Sequence, residues 1–277
     1  MSEQDKIKRR EHWAWYLYDF GNSAYAAVVL LAVYSAYFQG AVVGGSEGTR
    51  LWGIATGIAM GVTAVIAPVL GTIADHSGKK KTVLFFMSTI SIIFTATLFT
   101  VREGDVFTGM LFFIIAEIGY RGGQVFYNAL LPEIADQDEI GRVSGMGWAV
   151  GSLGGILCLV IVLALIMLIG GDIVTRLSFI ITAIFFALAT IPMWFWLKEK
   201  AEPKPLEKGD NYIKVAFRRL RTTFRSVNQY REFLKFMLAF LVYNYGIIAA
   251  LDFAAPNALR YAYRLDGFDP GWHEVGE

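Results

Sequence analysis

Cysteine and charged side chains are scarce in this sequence, and each scarcity excludes a class of protein. Cys158 is the only cysteine, so the chain cannot form an internal disulfide. Charged residues make up 18% of the chain, whereas about 25% is usual in soluble proteins, and 55% of the residues are hydrophobic. Because several apolar runs reach the roughly 20 residues that a membrane-spanning helix needs, the sequence predicts a polytopic membrane protein.

Patterns that indicate catalysis or metal binding are also missing from the sequence. It contains three histidines, which are not paired, and we find no metal-ligand spacing and no nucleophile beside a base. We therefore expect no enzyme, no catalytic residue, no metal site and no cofactor. The net charge is +1, and we expect no nucleic-acid partner. The polar, basic start of the chain, Met1–Glu11, does not read as a cleavable signal.

A polar turn, Gly71–Lys81, separates two apolar runs, Trp52–Ile73 and Thr82–Val101, that are each long enough to span a membrane. The turn is too short to leave the membrane surface. Its three adjacent lysines place that surface in the cytoplasm, since positive charge in short loops stays inside. The simplest alternative is a solvated hairpin that only orients the helices.

Each special residue of this turn has a predicted role in shaping it. We expect Gly71 to let two helix ends approach closely, Asp75 to accept from helix-start amides, and Gly78 to supply a turn that a side chain would obstruct. The conformational residues predicted for the turn are Gly71, Asp75, Gly78, Lys79, Lys80 and Lys81.

The other apolar runs complete a bundle of six membrane helices. They lie at Trp13–Phe38, Phe107–Leu131, Val143–Ile169 and Leu177–Leu197. Lysine and arginine are concentrated in the predicted inner segments, and the predicted outer loops contain Arg50, Arg102 and Arg176, so both ends of the bundle are expected inside. Two glycine-rich stripes predict close helix packing, at Gly53, Gly57 and Gly61 and at Gly147, Gly151, Gly154 and Gly155.

Four segments are predicted along the chain. Residues 1–197 are predicted to form the six-helix bundle, and residues 198–232 a basic cytoplasmic linker that contains an amphipathic helix at Val215–Phe224. Residues 233–251 are predicted to form a seventh helix. Residues 252–277 are predicted to form a tail in which apolar and polar residues alternate as in a strand. The expected fold is thus all-α with a short β-like end.

Polar groups inside the apolar runs are the candidate functional residues, because an ionised group at membrane depth usually faces a cavity or a partner. Glu117 and Arg121 lie one helical turn apart and can neutralise each other, either for structure or toward a substrate. Asp19 could instead cap its helix at the headgroup level. The candidates for substrate binding or coupling, predicted to line a polar cavity, are Asp19, Asn22, Tyr25, Glu117, Arg121, Tyr127 and Asn128.

The polar turn resembles the signature loop G-x-x-x-D-[RK]-x-G-[RK]-[RK] of the major facilitator superfamily, with His76 where a cation is usual. Further stretches, Trp15–Tyr25, Val125–Ile134, Gly141–Gly145 and Phe240–Asn244, resemble its vacuole-effluxer branch over residues 1 to about 250. This resemblance implies a carrier of twelve helices in two six-helix halves around a central cavity. Fungal vacuolar members are linked to amino-acid efflux. Tyr245 stands where an acid is common in the family, and helices 8 to 12 do not follow.

The last residues resemble something else. Leu259–Trp272 is similar to a fragment of the triple-tyrosine module of two-component sensor regulators. Two partial resemblances that meet near Leu251 suggest a truncated or fused chain, which we expect not to transport alone because its second bundle is missing. Homodimerisation would restore twelve helices, but the seventh helix would obstruct it.

The sequence therefore predicts a secondary active transporter for a small polar solute in a lipid bilayer. Amino-acid efflux is one candidate activity, and proton coupling is one candidate energy source. The predicted location is a bacterial inner membrane with the N-terminus in the cytoplasm. The alternative is a membrane-anchored sensor or signalling fragment.

Overall fold

The computed structural model describes residues 3–200, 203, 206, 210–227, 232 and 234–247, and it contains helices but no strand in this part of the chain. Six of the helices are long and apolar enough to cross a membrane. They are α1 (Glu3–Val43), α2 (Gly45–Ser77), α3 (Lys80–Thr100), α4 (Val106–Ile134), α5 (Ile140–Ile169) and α6 (Asp172–Trp196). The predicted all-α polytopic membrane fold is confirmed.

The first helix is longer and less regular than the sequence predicted. Two stretches of α1, Ala26–Ala32 and Phe38–Val43, are π-helical rather than α-helical. The stretch between the predicted runs Trp13–Phe38 and Trp52–Ile73 is helical rather than an outer loop, because α1 continues to Val43 and α2 begins at Gly45. Gly44 makes the whole connection with a φ of +80°, a conformation that glycine adopts without steric cost.

Helix α1 packs mainly against α5 and α6, while α4 packs against α2 and α3. The glycines of α5 allow its close contact with α1, as predicted. A Cβ at Gly147 would collide with the ring of Trp15, and one at Gly154 would collide with the backbone of Phe20. The absence of side chains here therefore lets two helix backbones touch.

Among the described residues, two members of the glycine stripe on α2 have no helix packed against them. A Cβ added at Gly57 or Gly61 would meet no atom of the described residues within 4 Å. Both glycines are exposed. Glycine spacing permits close packing, but the position of neighbouring helices decides whether it occurs.

Contacts at the two ends show that successive spans run in opposite directions. At one end, Lys80 of α3 pairs with Glu133 of α4 over 2.7 Å. At the other end, the hydroxyl of Tyr37 in α1 donates to Asp172 of α6 over 2.9 Å, and the backbone N–H of Gly104 donates to Val42. The predicted signature turn, the start of α1 and the ends of α4 and α6 therefore share one end of the bundle.

Two more helices follow the bundle. The amphipathic helix α7 covers Tyr212–Val227, which includes the predicted segment, and it packs against α2. Helix α8, Leu234–Ile247, is apolar and falls inside the predicted seventh helix. The strand-like tail at 252–277 lies outside the described residues, and the division of the chain into four segments stays a prediction.

Candidate substrate and coupling site

A buried ion pair lies on α4 within the membrane-spanning bundle. The Glu117 side chain is completely buried, whereas that of Arg121, one turn later, keeps 26% of its surface exposed. Arg121 Nε donates to Glu117 Oε1 over 2.5 Å. Since an isolated charge at membrane depth costs several kcal/mol, this pairing removes much of that cost. The exposed part of the guanidinium remains reachable from outside the packed core.

Helix α1 brings an aromatic group to this pair. Tyr25 is completely buried, and its hydroxyl faces the Glu117 carboxylate. Its ring stacks on Tyr120 of α4 with 4.8 Å between centroids. Tyr25 is the last α-helical residue before the π-helical stretch of α1, a distortion that is frequent at functional sites. The structure thus brings three predicted residues, Tyr25, Glu117 and Arg121, together.

Asp19 and Asn22 form a second polar group on α1. The Asn22 side chain lies next to the Asp19 carboxylate, which lies against Gly151 of α5. Asn22 is buried, and its Oδ1 has no hydrogen-bond partner among the described residues. A buried acceptor without a donor is costly, so this atom is available to a bound molecule. Asp19 does not cap the start of its helix, since α1 already begins at Glu3.

The two remaining candidates differ in their surroundings. Tyr127 is buried in an aromatic stack, with its ring 4.2 Å from Trp15 and 5.2 Å from Tyr18, measured between centroids. Its hydroxyl lies within electrostatic reach of Asp19 and has no hydrogen-bond partner among the described residues. Asn128 is exposed at the surface of α4. The contacts therefore divide the predicted cavity residues into two groups and leave Asn128 outside both.

Sequence reasoning missed another set of buried polar side chains, between α1 and α2. Ser35 and Gln39 lie one turn apart on α1, and Trp52 and Thr56 lie one turn apart on α2. Each buries a polar atom that has no hydrogen-bond partner among the described residues. The Tyr34 ring contacts that of Trp52, and the Gln39 backbone lies against Gly48, so α1 and α2 are neighbours along this stretch. Polar residues at four-residue spacing within apolar runs were the available signal.

The structure of the signature turn differs from the sequence prediction at two residues. Gly78 ends α2 with a φ of +61°, as its predicted role requires. Gly71 does not bring helix ends together, because a Cβ there would meet no described atom within 4 Å. Asp75 accepts from Arg219 of α7 over 2.8 Å rather than from helix-start amides. The backbone N–H of Lys79 donates to the Ser77 hydroxyl instead, over 3.1 Å.

Two of the three lysines of the turn bond to groups at the ends of α4 and α6. Lys80 Nζ donates to the carbonyl of Ala129 near the C-terminus of α4, over 3.1 Å. Lys81 Nζ donates to the carbonyls of Trp194 and Leu197 at the end of α6, over 3.1 and 2.8 Å. A cation at a helix C-terminus satisfies free carbonyls and interacts favourably with the helix dipole. Lys80 and Lys81 therefore have partners within the described part of the chain, whereas Lys79 is exposed.

A buried carboxylate at the same end was also missed. Glu11 of α1 is 1% exposed, and its Oε2 accepts from Lys200 Nζ over 2.6 Å. The backbone N–H of Lys200 donates to Glu133 Oε2 over 3.2 Å. The sequence placed Lys200 in a linker, where no local pattern indicates a partner nearly two hundred residues earlier. These contacts fasten the segment after α6 to the start of α1 and the end of α4.

Outside the membrane-spanning segments, ion pairs lower the pKa of two carboxylates. Lys8 Nζ bonds to Glu139, between α4 and α5, and holds the pKa of that carboxyl below its ordinary value. Lys214 and Arg218 bond to Asp210, just before α7, and lower its pKa in the same way. Both carboxylates are therefore ionised at neutral pH and act as fixed negative charges.

A protein-family model described as "Vacuole effluxer Atg22 like" matches residues 51–141 and 136–257. The chain is 31% identical over 245 residues to a Bacillus subtilis (strain 168) protein described as "Uncharacterized MFS-type transporter YxiO", covering 84% of this chain and 56% of that protein. It is 23% identical over 159 residues to an "Uncharacterized protein" of Aquifex aeolicus (strain VF5), covering 57% of this chain and 40% of that protein. The chain thus spans about half the length of the curated relatives it matches.

Proposed function

The chain belongs to the vacuole effluxer Atg22-like family, and from that premise we propose that it forms the six-helix unit of a secondary active transporter for a small polar solute. The bundle would rock against a second unit and expose a midplane site to each side in turn. We propose a bacterial inner membrane as its location, with the basic end of the bundle in the cytoplasm.

The observation that carries this proposal is the Glu117–Arg121 pair beside Tyr25. A completely buried carboxylate in a membrane helix is expensive, and such residues commonly mark substrate or ion pathways. Protonation of Glu117 would weaken its bond to Arg121, so the same pair could link proton binding to solute binding. We therefore propose proton coupling through Glu117.

The second polar group supports an amino acid as the solute. Arg121 offers a cation for a carboxylate, and Asp19 offers an anion for an ammonium group. Asp19 lies six residues before Tyr25 along α1, a rise of about 9 Å, so the two groups occupy one stretch of the same helix. An amino-acid zwitterion carries both of the complementary charges. We propose efflux of such a solute as the physiological activity.

Flux measurements test the transport proposal. The test uses a full-length relative that carries the same acid–base pair, and the substitution that corresponds to Glu117→Gln is introduced there. The relative and its variant are reconstituted in liposomes with an imposed proton gradient. We expect proton-driven amino-acid flux to fall at least about tenfold while protein level and folding stay unchanged, since the amide cannot carry a proton. Unchanged proton-driven flux would show that the pair serves packing alone.

Solute binding to the present chain provides an independent measurement. We expect a subset of amino acids to raise the melting temperature of the purified 277-residue protein, and Glu117→Gln to remove that shift. Glu103→Gln is the matched control, because Glu103 is an exposed acid in the turn before α4. If both variants retained the same solute-induced shift, the solute would bind elsewhere.

A further inference from the structure

Helix α7 presents three distinct sides, and one of them is fixed to the bundle. Val215 and Ala216 are buried. Arg219 lies on the same side by helical spacing and donates to Asp75, at the last turn of α2. Because α2 is one of the six membrane-spanning helices, this bond holds α7 at the level where α2 ends.

The second side of α7 is apolar and uncovered within the described part of the chain. Ile213 and Phe217, one turn apart, are 57% and 51% exposed. Leu220 follows on the same side at the spacing of an amphipathic helix. Large apolar side chains in a row are unfavourable in water, so this side requires an apolar environment.

The third side borders the apolar row and is basic. Its members are Lys214, Arg218, Arg221 and Arg225. Asp210 pairs with the first two, over 2.9 and 2.6 Å, and so partly neutralises them. Arg221 and Arg225 lie one turn further along, and both are exposed. The helix therefore offers guanidinium groups directly beside its apolar row.

We propose that α7 binds the anionic phospholipid surface of the membrane that α2 crosses. Ile213 and Phe217 enter the boundary between headgroups and acyl chains, and Arg221 and Arg225 bind lipid phosphates. This arrangement matches both features of an interfacial helix, an apolar row for the acyl boundary and flanking cations for anionic lipid. Arginine suits phosphate because its planar fork donates two parallel hydrogen bonds. The proposal is independent of the transported solute.

A depth measurement tests this contact. The variant is Ile213→Cys in a Cys158→Ala background, and its new cysteine is labelled with a polarity-sensitive fluorophore. The full chain is then reconstituted in phosphatidylcholine vesicles with or without about 30 mol % phosphatidylglycerol. We expect brominated lipids to quench the probe at least about threefold more when the anionic lipid is present, and high salt to reduce this difference.

Charge variants identify the groups responsible. Arg221→Gln with Arg225→Gln should abolish the dependence on anionic lipid, whereas lysine at both positions should retain most of it. The matched control is Arg50→Gln with Arg102→Gln, which removes two arginines at the opposite end of the bundle and should change nothing. A probe that brominated lipids never quench, or quenching that survives loss of both arginines, would overturn the proposal. The first result would indicate that another protein segment covers this side.

Discussion

Arg219 of α7 donates to the Asp75 carboxylate at the end of α2 over 2.8 Å, which joins two residues 144 positions apart in the sequence. Another nitrogen of the same guanidinium lies 3.4 Å from Nε2 of His76. His76 occupies the position of the signature turn where the superfamily pattern has a cation. In this protein, the helix that follows the bundle supplies a cation there, and the turn is thereby linked to the segment after α6.

Removing this cation should release α7 without unfolding the bundle. We expect Arg219→Gln to increase tryptic cleavage within α7 while the melting temperature of the bundle changes little. The reason is that both side chains are about half exposed, and exposed ion pairs contribute at most about 1 kcal/mol. Arg221→Gln serves as the control, since it removes a cation from the same helix but not from the side that contacts α2. Equal cleavage rates in the two variants would contradict a docking role for Arg219.

Lys80 should contribute more to stability than its neighbour Lys79. The side chains of Lys80 and Glu133 are only 14% and 10% exposed, and Lys80 also bonds a carbonyl of α4. Lys80→Gln leaves a nearly buried carboxylate without its cation, which we expect to cost about 2 kcal/mol. Lys79→Gln should change stability by less than about 0.5 kcal/mol, because Lys79 is exposed. Unfolding in detergent compares the variants, and equal losses would show that only net charge matters.

The two glycine stripes should respond in opposite ways to alanine. Gly154→Ala would drive a methyl group into the Phe20 backbone, so we expect α1 and α5 to separate at a cost of about 1–3 kcal/mol. Gly57→Ala has open space and lies inside a helix, so it should be neutral or stabilise by up to about 1 kcal/mol. Thermal unfolding measures both. A loss of stability in Gly57→Ala would reveal a neighbour for α2 outside the described residues.

These cases show what the sequence could predict. Run length and hydropathy are local properties, so they identified the six spans. Helical spacing placed Glu117 beside Arg121, and the glycines of α5 fitted their contact with α1. The same spacing rule failed at Gly57 and Gly61, because the sequence does not show which face of a helix has a neighbour.

Contacts between distant residues were beyond prediction for a physical reason. Lys80, Lys81 and Arg219 bind groups whose positions depend on how complete helices pack. The charge of such a side chain indicates that it needs a partner or water, but it does not identify the partner. The division of the polar membrane residues into two groups has the same origin, since the rotation of α1 about its axis decides whether Asp19 faces α5 or α4.

Acid should weaken the contact between α1 and the turn before α5. Lys8 lowers the pKa of Glu139, so this pair stabilises the folded protein at neutral pH, and the stabilisation is lost as the pH falls through the lowered pKa. Lys8 also bonds the Asp136 carboxylate, over 2.6 Å, so changing Lys8 breaks two ion pairs. Arg142, at 3.3 Å, and His12, at 3.9 Å, also lie near Glu139. Both remain when Lys8 is changed.

We therefore expect Lys8→Gln to lower the melting temperature at pH 7, and the difference from the unmodified protein to shrink toward zero below about pH 4. Lys6→Gln is the control, because Lys6 lies on the same helix and pairs only loosely, at 3.9 Å, with the exposed Glu3. A difference that stayed constant between pH 7 and pH 3 would exclude ionised Glu139 as the partner.

The orientation of the bundle can be tested with single cysteines, because Cys158 is buried and is the only native one. Lys79 and Glu103 are exposed at opposite ends of the bundle, so a cysteine at either position is accessible to a membrane-impermeant maleimide. The lysines of the signature turn should hold their end in the cytoplasm, since positive charge in short loops is retained inside. In intact cells we therefore expect Glu103→Cys to be labelled and Lys79→Cys to be labelled only after the membrane is permeabilised. The reverse pattern would place the signature turn outside, and the region of α7 that we assign to an anionic lipid surface would then face the other leaflet.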